Sequence, residues 1–185
     1  MIADVLADAE SRMAKAIEAL QRDLGSVRTG RASPSLVERI TVDYYGAPTP
    51  LNQMANISVP ESRLLVIQPW DKSVIGAIDK AIQKSELGLN PTNDGQVIRL
   101  AIPALTEERR KQLVKVVHGH VEDGKVALRN IRRDAMSNVR DMMSEGMISD
   151  DDGRRAEQQI DNLTKKFVEE VDRIGKGKEH EVLEV

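Results

Sequence analysis

The most concentrated chemistry in this chain is a row of cations. Lys111, Lys115, His118, Lys125, Arg129 and Arg132 follow one another at spacings of 4, 3, 7, 4 and 3 residues. On an α-helix that spacing puts all six on one face. Arg133 and Arg140 flank the row. Residues 109–140 hold nine Lys and Arg against three acids (Glu122, Asp123 and Asp134), a local charge of +6. A guanidinium has a planar fork that can donate two hydrogen bonds to one phosphate. A rigid row of cations can therefore follow an RNA backbone by shape and charge, with little reading of bases. The competing reading is a solvated helix face paired with acids on a neighbouring helix. Residues 141–185 supply such acids, thirteen against seven Lys and Arg. The net charge of −3 for the whole chain hides this division, and local fields are what steer charged partners.

Other constellations carry less. His118-Gly119-His120 has the residue types of a metal site, but positions i and i+2 of a helix point to different faces and no third ligand lies nearby, so no metal is expected. Gly175-Lys176-Gly177-Lys178 follows no strand and precedes no Ser or Thr, so it fits a frayed helix end better than a phosphate loop. Asp150-Asp151-Asp152 fits the first turn of a helix, where acids meet the positive end of the dipole. The chain has three His, no Cys and no nucleophile motif, and no segment places two acids in an evident apolar pocket. An enzyme and a cofactor are both unexpected. Trp70, after Pro69 at the end of an apolar run, is expected to be a partly buried packing residue.

Three long segments must position the cations. In the first, Ile2, Leu6, Ala9, Met13, Ala16, Leu20, Leu24 and Val27 recur at helical spacing. Leu113, Val117, Val121, Gly124, Leu128, Ile131, Ala135 and Val139 do so in the second, and Ala156, Ile160, Leu163, Phe167, Val171 and Ile174 in the third. Each apolar stripe needs a cover, and a bundle of the three helices covers all of them. Gly124 lies on its stripe and predicts a close helix approach there. Residues 31–105 read differently. Pro, Gly and Asn punctuate them, strand-like runs appear at 40–44, 63–67 and 97–102, and Val74, Ile75, Ile78, Ala81 and Ile82 mark one helix.

The first helix has no cover of its own, so the small α/β unit must be inserted between the first and second long helices. The reading is an α+β chain: residues 1–30 and 104–185 form a discontinuous three-helix bundle, and residues 31–103 form the inserted domain. Two crossings join them, Arg28-Thr29-Gly30-Arg31 and Pro103-Ala104-Leu105, and short connections of this kind serve as hinges.

Composition narrows the class. Aromatics make up only 2% of the chain, so cores are aliphatic and a base-stacking platform is disfavoured. The absence of cysteine excludes a disulfide scaffold and suits a reducing compartment. No apolar run approaches the ~20 residues of a membrane helix. Met1 leads directly into an amphipathic pattern with Asp4, Asp8 and Glu10, so no signal peptide is expected. A cytoplasmic monomer is the expectation.

Five segments carry a family resemblance: Arg28-Thr-Gly-Arg-Ala-Ser-Pro-Ser-Leu36, Tyr44-Tyr-Gly-Ala-Pro-Thr-Pro-Leu51, Leu87-Gly-Leu-Asn-Pro91, Leu105-Thr-Glu-Glu-Arg-Arg-Lys111 and Arg129-Asn-Ile-Arg-Arg-Asp-Ala135. Together they resemble the bacterial ribosome recycling factors, in family order and over nearly the whole chain. The resemblance implies an L-shaped molecule with an α/β domain hinged on a three-helix bundle. It implies action after peptide release, with the bundle on large-subunit ribosomal RNA. Elongation factor G and GTP then drive the α/β domain and split the subunits, and the third initiation factor keeps them apart. It casts Arg132 as the main RNA-contacting arginine, with Arg129 and Arg133 in support, and it matches Arg28, Gly30 and Arg31 to the hinge. Lys111, Lys115 and Lys125 extend the expected contact surface. The rival reading is a helical-bundle adaptor protein with no RNA role.

Overall fold

The computed structural model describes residues 1–184. Val185, the last residue assigned to the bundle above, lies outside the described residues. The elements in chain order are α1 (Ile2–Gly25), β1 (Thr41–Tyr44), β2 (Ala47–Pro50), β3 (Ala55–Glu61), β4 (Leu64–Pro69), α2 (Ile75–Lys84), β5 (Thr92–Asn93), β6 (Ile98–Ala101), α3 (Glu107–Ser144) and α4 (Asp150–Leu183). Two compact units result: Met1–Thr29 with Glu107–Glu184, and Gly30–Thr106.

The first unit is three long helices. At ~1.5 Å per residue, α1, α3 and α4 run about 36, 57 and 51 Å, and each packs on the other two. Met13, Leu20, Val117, Leu128, Ile160 and Val171 fill the seam between them. Glu107 and Glu108 stand in the first turn of α3. Ser149 caps α4, its hydroxyl accepting from the Asp152 N–H at 3.1 Å, with Asp150, Asp151 and Asp152 in the dipole-favoured first turn.

The stripes drift from the expected positions. Ile17 rather than Ala16 is fully buried in α1. On α4, Thr164 and Gly175 take the buried places expected for Leu163 and Ile174. The Thr164 hydroxyl donates to the Ile160 carbonyl at 2.8 Å, which satisfies it locally. Gly175-Lys176-Gly177-Lys178 is not a frayed end, because α4 continues to Leu183 and buries Gly175 and Val182. Close approach also moves. A Cβ on Gly124 would meet only ordinary contacts at 3.8 Å, whereas one on Gly153 would collide with Met143.

The second unit pairs β1 with β2, and separately orders β3-β4-β6-β5 into an antiparallel sheet. Tyr45 and Gly46, with φ of 49° and 86°, make the two-residue hairpin loop between β1 and β2. Its core is aliphatic: Val42, Leu65, Ile67, Ile78, Ile82 and Leu100 are all fully buried. Three strands lie outside the expected runs. β2 carries Pro48 and Pro50, and the edge strand β3 carries Pro60 at a register shift between Ser58 and Glu61. Proline is tolerated at such edges and bulges but erases the strand pattern. Trp70 is 62% exposed rather than packed. Its N–H donates to the Met54 carbonyl at 3.1 Å, after which the chain turns into the Asp71 cap with the indole outside a core already filled by aliphatics.

Both ends of this unit are tied to one turn. The Ala32 N–H donates to the Ser62 carbonyl at 2.7 Å, and the Ile102 N–H donates to the Arg63 carbonyl at 2.8 Å. Gly30 and Leu105 lie side by side just beyond these bonds, so both belong to the α/β unit.

Candidate nucleic-acid interface

The cationic row lies on α3, beside the buried stripe formed by Leu113, Val117, Leu128 and Val139. Lys111, Lys115, His118, Arg129, Arg132, Arg133 and Arg140 are exposed, and Lys125 is half-buried. Near the C-terminal end of α3, Arg129, Arg132, Arg133 and Arg140 surround an open groove of about 520 Å³, with Met136, Ser137 and Asp141 completing its wall. Four arginines and one carboxylate, Asp141, thus line one open depression.

Most of the row also has acidic partners, many of them on α4. Lys125 Nζ lies 2.7 Å from Asp172, Arg132 Nε donates to Asp161 at 2.8 Å, and Arg140 lies 4.0 Å from Glu157. His118 meets Glu179 at 3.1 Å. Within α3, Arg129 donates to Glu122 at 2.6 Å and Lys111 stands 3.4 Å from Glu107. Lys115 and Arg133 have no ion pair among the described residues. The pairs are surface pairs, since the Arg129 and Arg132 side chains remain 56% and 44% exposed. Exposed pairs contribute about 0–1 kcal/mol each, so their cations can exchange a carboxylate for a phosphate at low cost.

Sequence reasoning missed three parts of this surface. Glu122 sits among the cations, seven residues from both Lys115 and Arg129, and that spacing alone places it on their face. Ser137 lies in the groove at helical spacing from Arg133. Asp161 and Asp172 face the row from α4, and nothing in the sequence shows which acids the helix register brings there.

The remaining candidates separate. His118 turns to Glu179 of α4, while His120 lies 3.9 Å from Asp23 of α1. Among the described residues no cluster of three or more His, Asp or Glu could hold a metal, and no helix is long and apolar enough to cross a membrane. The crossing residues Arg28, Arg31, Pro103 and Ala104 are exposed, whereas Thr29, Gly30 and Leu105 are half-buried.

A sequence profile described as ribosome recycling factor matches residues 20–183. The chain belongs to the ribosome recycling factor family. A ribosome-recycling factor of Thermomicrobium roseum is 56% identical over 185 residues, covering 100% of both chains. One from a Roseiflexus species is 59% identical with the same coverage. The solution structure of a ribosome recycling factor matches with a TM-score of 0.77 at 42% identity, over 100% of this chain and 98% of that one. A second match, with a TM-score of 0.65 at 44% identity over 99% of each chain, is the Thermus thermophilus ribosome recycling factor placed with Escherichia coli elongation factor G on the Escherichia coli post-termination complex. The family is one of translation factors rather than enzymes. Its members share with this chain an α+β fold of long helices and a small sheet domain.

Proposed function

We propose that the chain binds the post-termination ribosome and, with elongation factor G and GTP, splits it into subunits for reuse. The groove of Arg129, Arg132, Arg133 and Arg140 on α3, in a chain of this family, carries the reading. The bundle grips the phosphate backbone of large-subunit ribosomal RNA. Arg132 makes the main contact, Arg129 and Arg133 support it, and Lys111, Lys115 and Lys125 extend the contact along the helix. Recognition is by charge and shape, which suits a surface without aromatic side chains. The α/β unit acts as a lever jointed at Arg28–Arg31 and Pro103–Leu105. The GTPase supplies the work, the chain itself hydrolyses nothing, and the third initiation factor keeps the separated subunits apart. The chain works in the cytoplasm as a monomer, a state supported by a bundle whose helices cover one another's apolar stripes.

Light scattering of post-termination ribosomes mixed with the chain, elongation factor G and GTP tests the activity, and the expected result is a fall in scattering that needs all three. Arg132→Ala is expected to weaken co-sedimentation with large subunits by about ten-fold or more, the scale of a lost hydrogen bond between charged groups, while the bundle stays folded. The ion pairs between α3 and α4 favour the second reading, an adaptor whose cations only stabilise the bundle. That reading predicts no co-sedimentation at any salt concentration.

A further inference from the structure

The acids beside Arg129 and Arg132 engage them through different nitrogens. Asp161, reaching across from α4, accepts from Nε of Arg132 at 2.8 Å. Neither terminal nitrogen of Arg132 has a hydrogen-bond partner among the described residues, and the side chain is 44% exposed. Nε takes part only in the side-on fork of a guanidinium, so the end-on fork formed by Nη1 and Nη2 remains open. Glu122, on the same helix face as the cations, accepts instead from Nη2 of Arg129 at 2.6 Å. Nη2 contributes one N–H to each fork, so Glu122 occupies one of them and sets its negative charge at the terminal end of Arg129, where a phosphate would arrive.

Resting on the RNA interface proposed above, we propose that these two acids act on the site with opposite sign: Asp161 is a positioning residue that holds Arg132 with its outer fork presented to phosphate, and Glu122 is a mask that competes with phosphate for Arg129. An arginine side chain loses considerable rotamer freedom when it binds. Asp161 bears that loss before RNA arrives, which is preorganisation. Both carboxylates repel a phosphate, so charge alone cannot separate the roles. The separating property is the acceptor. Asp161→Asn and Asp161→Ala both remove the charge, but only the asparagine keeps an oxygen to accept from Nε.

The test is co-sedimentation of the full chain with bacterial large ribosomal subunits at fixed salt. Asp161→Ala is expected to bind about three- to ten-fold more weakly than Asp161→Asn, the scale of one immobilised side chain. Equal binding by the two variants would overturn the positioning role. Glu122→Gln is expected to bind about two- to five-fold more tightly than the parent, and equal or weaker binding would overturn the mask. Arg132→Ala separates the levels of the argument. If it binds like the parent, the RNA interface itself fails. If it binds weakly while the Asp161 variants match each other, only the positioning role fails.

Discussion

A Cβ placed on Gly175 of α4 would stand 2.5 Å from Cγ2 of Val121 on α3. Real carbon contacts are not that short, and valine is stiff at χ1. Gly175 therefore lets the two helices of the cationic face run closer than any side chain would allow. Gly175→Ala is expected to destabilise the chain by about 1–3 kcal/mol, as overpacked cores do. Val121→Ala in the same chain is expected to recover part of the loss, seen as a coupling energy between the two sites in urea denaturation. Gly119→Ala is the opposite case. Nothing lies within 4 Å of its added Cβ, so the substitution is expected to stabilise α3 by up to about 1 kcal/mol.

Gly30 is constrained twice. Its φ is +74°, and its Cβ would stand 3.1 Å from Cγ of Leu105. Gly30→Ala is expected to destabilise by about 1–2 kcal/mol from the left-handed backbone alone, with the Leu105 contact adding to it. Leu105→Ala combined with Gly30→Ala is expected to relieve the contact and leave the backbone part. Denaturation curves of the single and double variants separate the two contributions.

The helices were legible because their stripes repeat over many turns, and the start of α4 was marked by Asp150, Asp151 and Asp152. The short strands were less so. Pro48 and Pro50 sit at pairing positions of β2 and Pro60 lies in the register shift of β3, where only an edge or a bulge tolerates them, and they break the alternation that reveals a strand. Trp70 was misread because hydrophobicity favours burial, and only the filled aliphatic core shows that the indole had no place inside. At the site, the arginine spacing was written in the sequence. The register between α3 and α4 was not, and that register decides that Asp161 and Asp172, rather than their neighbours, meet the cations.

Asp94 gives the α/β unit an acid-sensitive point. Its carboxylate accepts from the Val97 N–H at 2.8 Å, from Arg99 at 2.7 Å and from the Gln96 N–H at 2.9 Å. The Val97 bond first, then the Arg99 side chain and the Gln96 bond, hold its pKa well below the ordinary carboxylate value of 3.8. A pKa depressed in the folded state adds stability above the unfolded value and loses it as pH falls toward the folded value. Asp94→Asn is therefore expected to lower the melting temperature at neutral pH. The gap from the parent is expected to narrow as the pH drops below about 4. Thermal melts of both chains between neutral and strongly acid pH check this, and a gap independent of pH would contradict it.

Salt dependence measures how many phosphates the cationic face neutralises. Each phosphate contact adds roughly 0.7–0.9 to the slope of log affinity against log salt. If Arg129, Arg132, Arg133 and Arg140 each meet one phosphate, the slope is expected to be about −3 to −4. Arg133 gives the cleanest subtraction, since it is exposed and has no ion pair among the described residues. Arg133→Ala is expected to reduce the slope by about one unit and weaken binding most at low salt. Removing Arg129 also frees the Glu122 carboxylate on the same face, so Arg129→Ala is expected to lose more affinity than Arg133→Ala at equal salt. Co-sedimentation with large subunits over a range of potassium chloride concentrations reads both quantities, and a flat response would show that these arginines meet no phosphate.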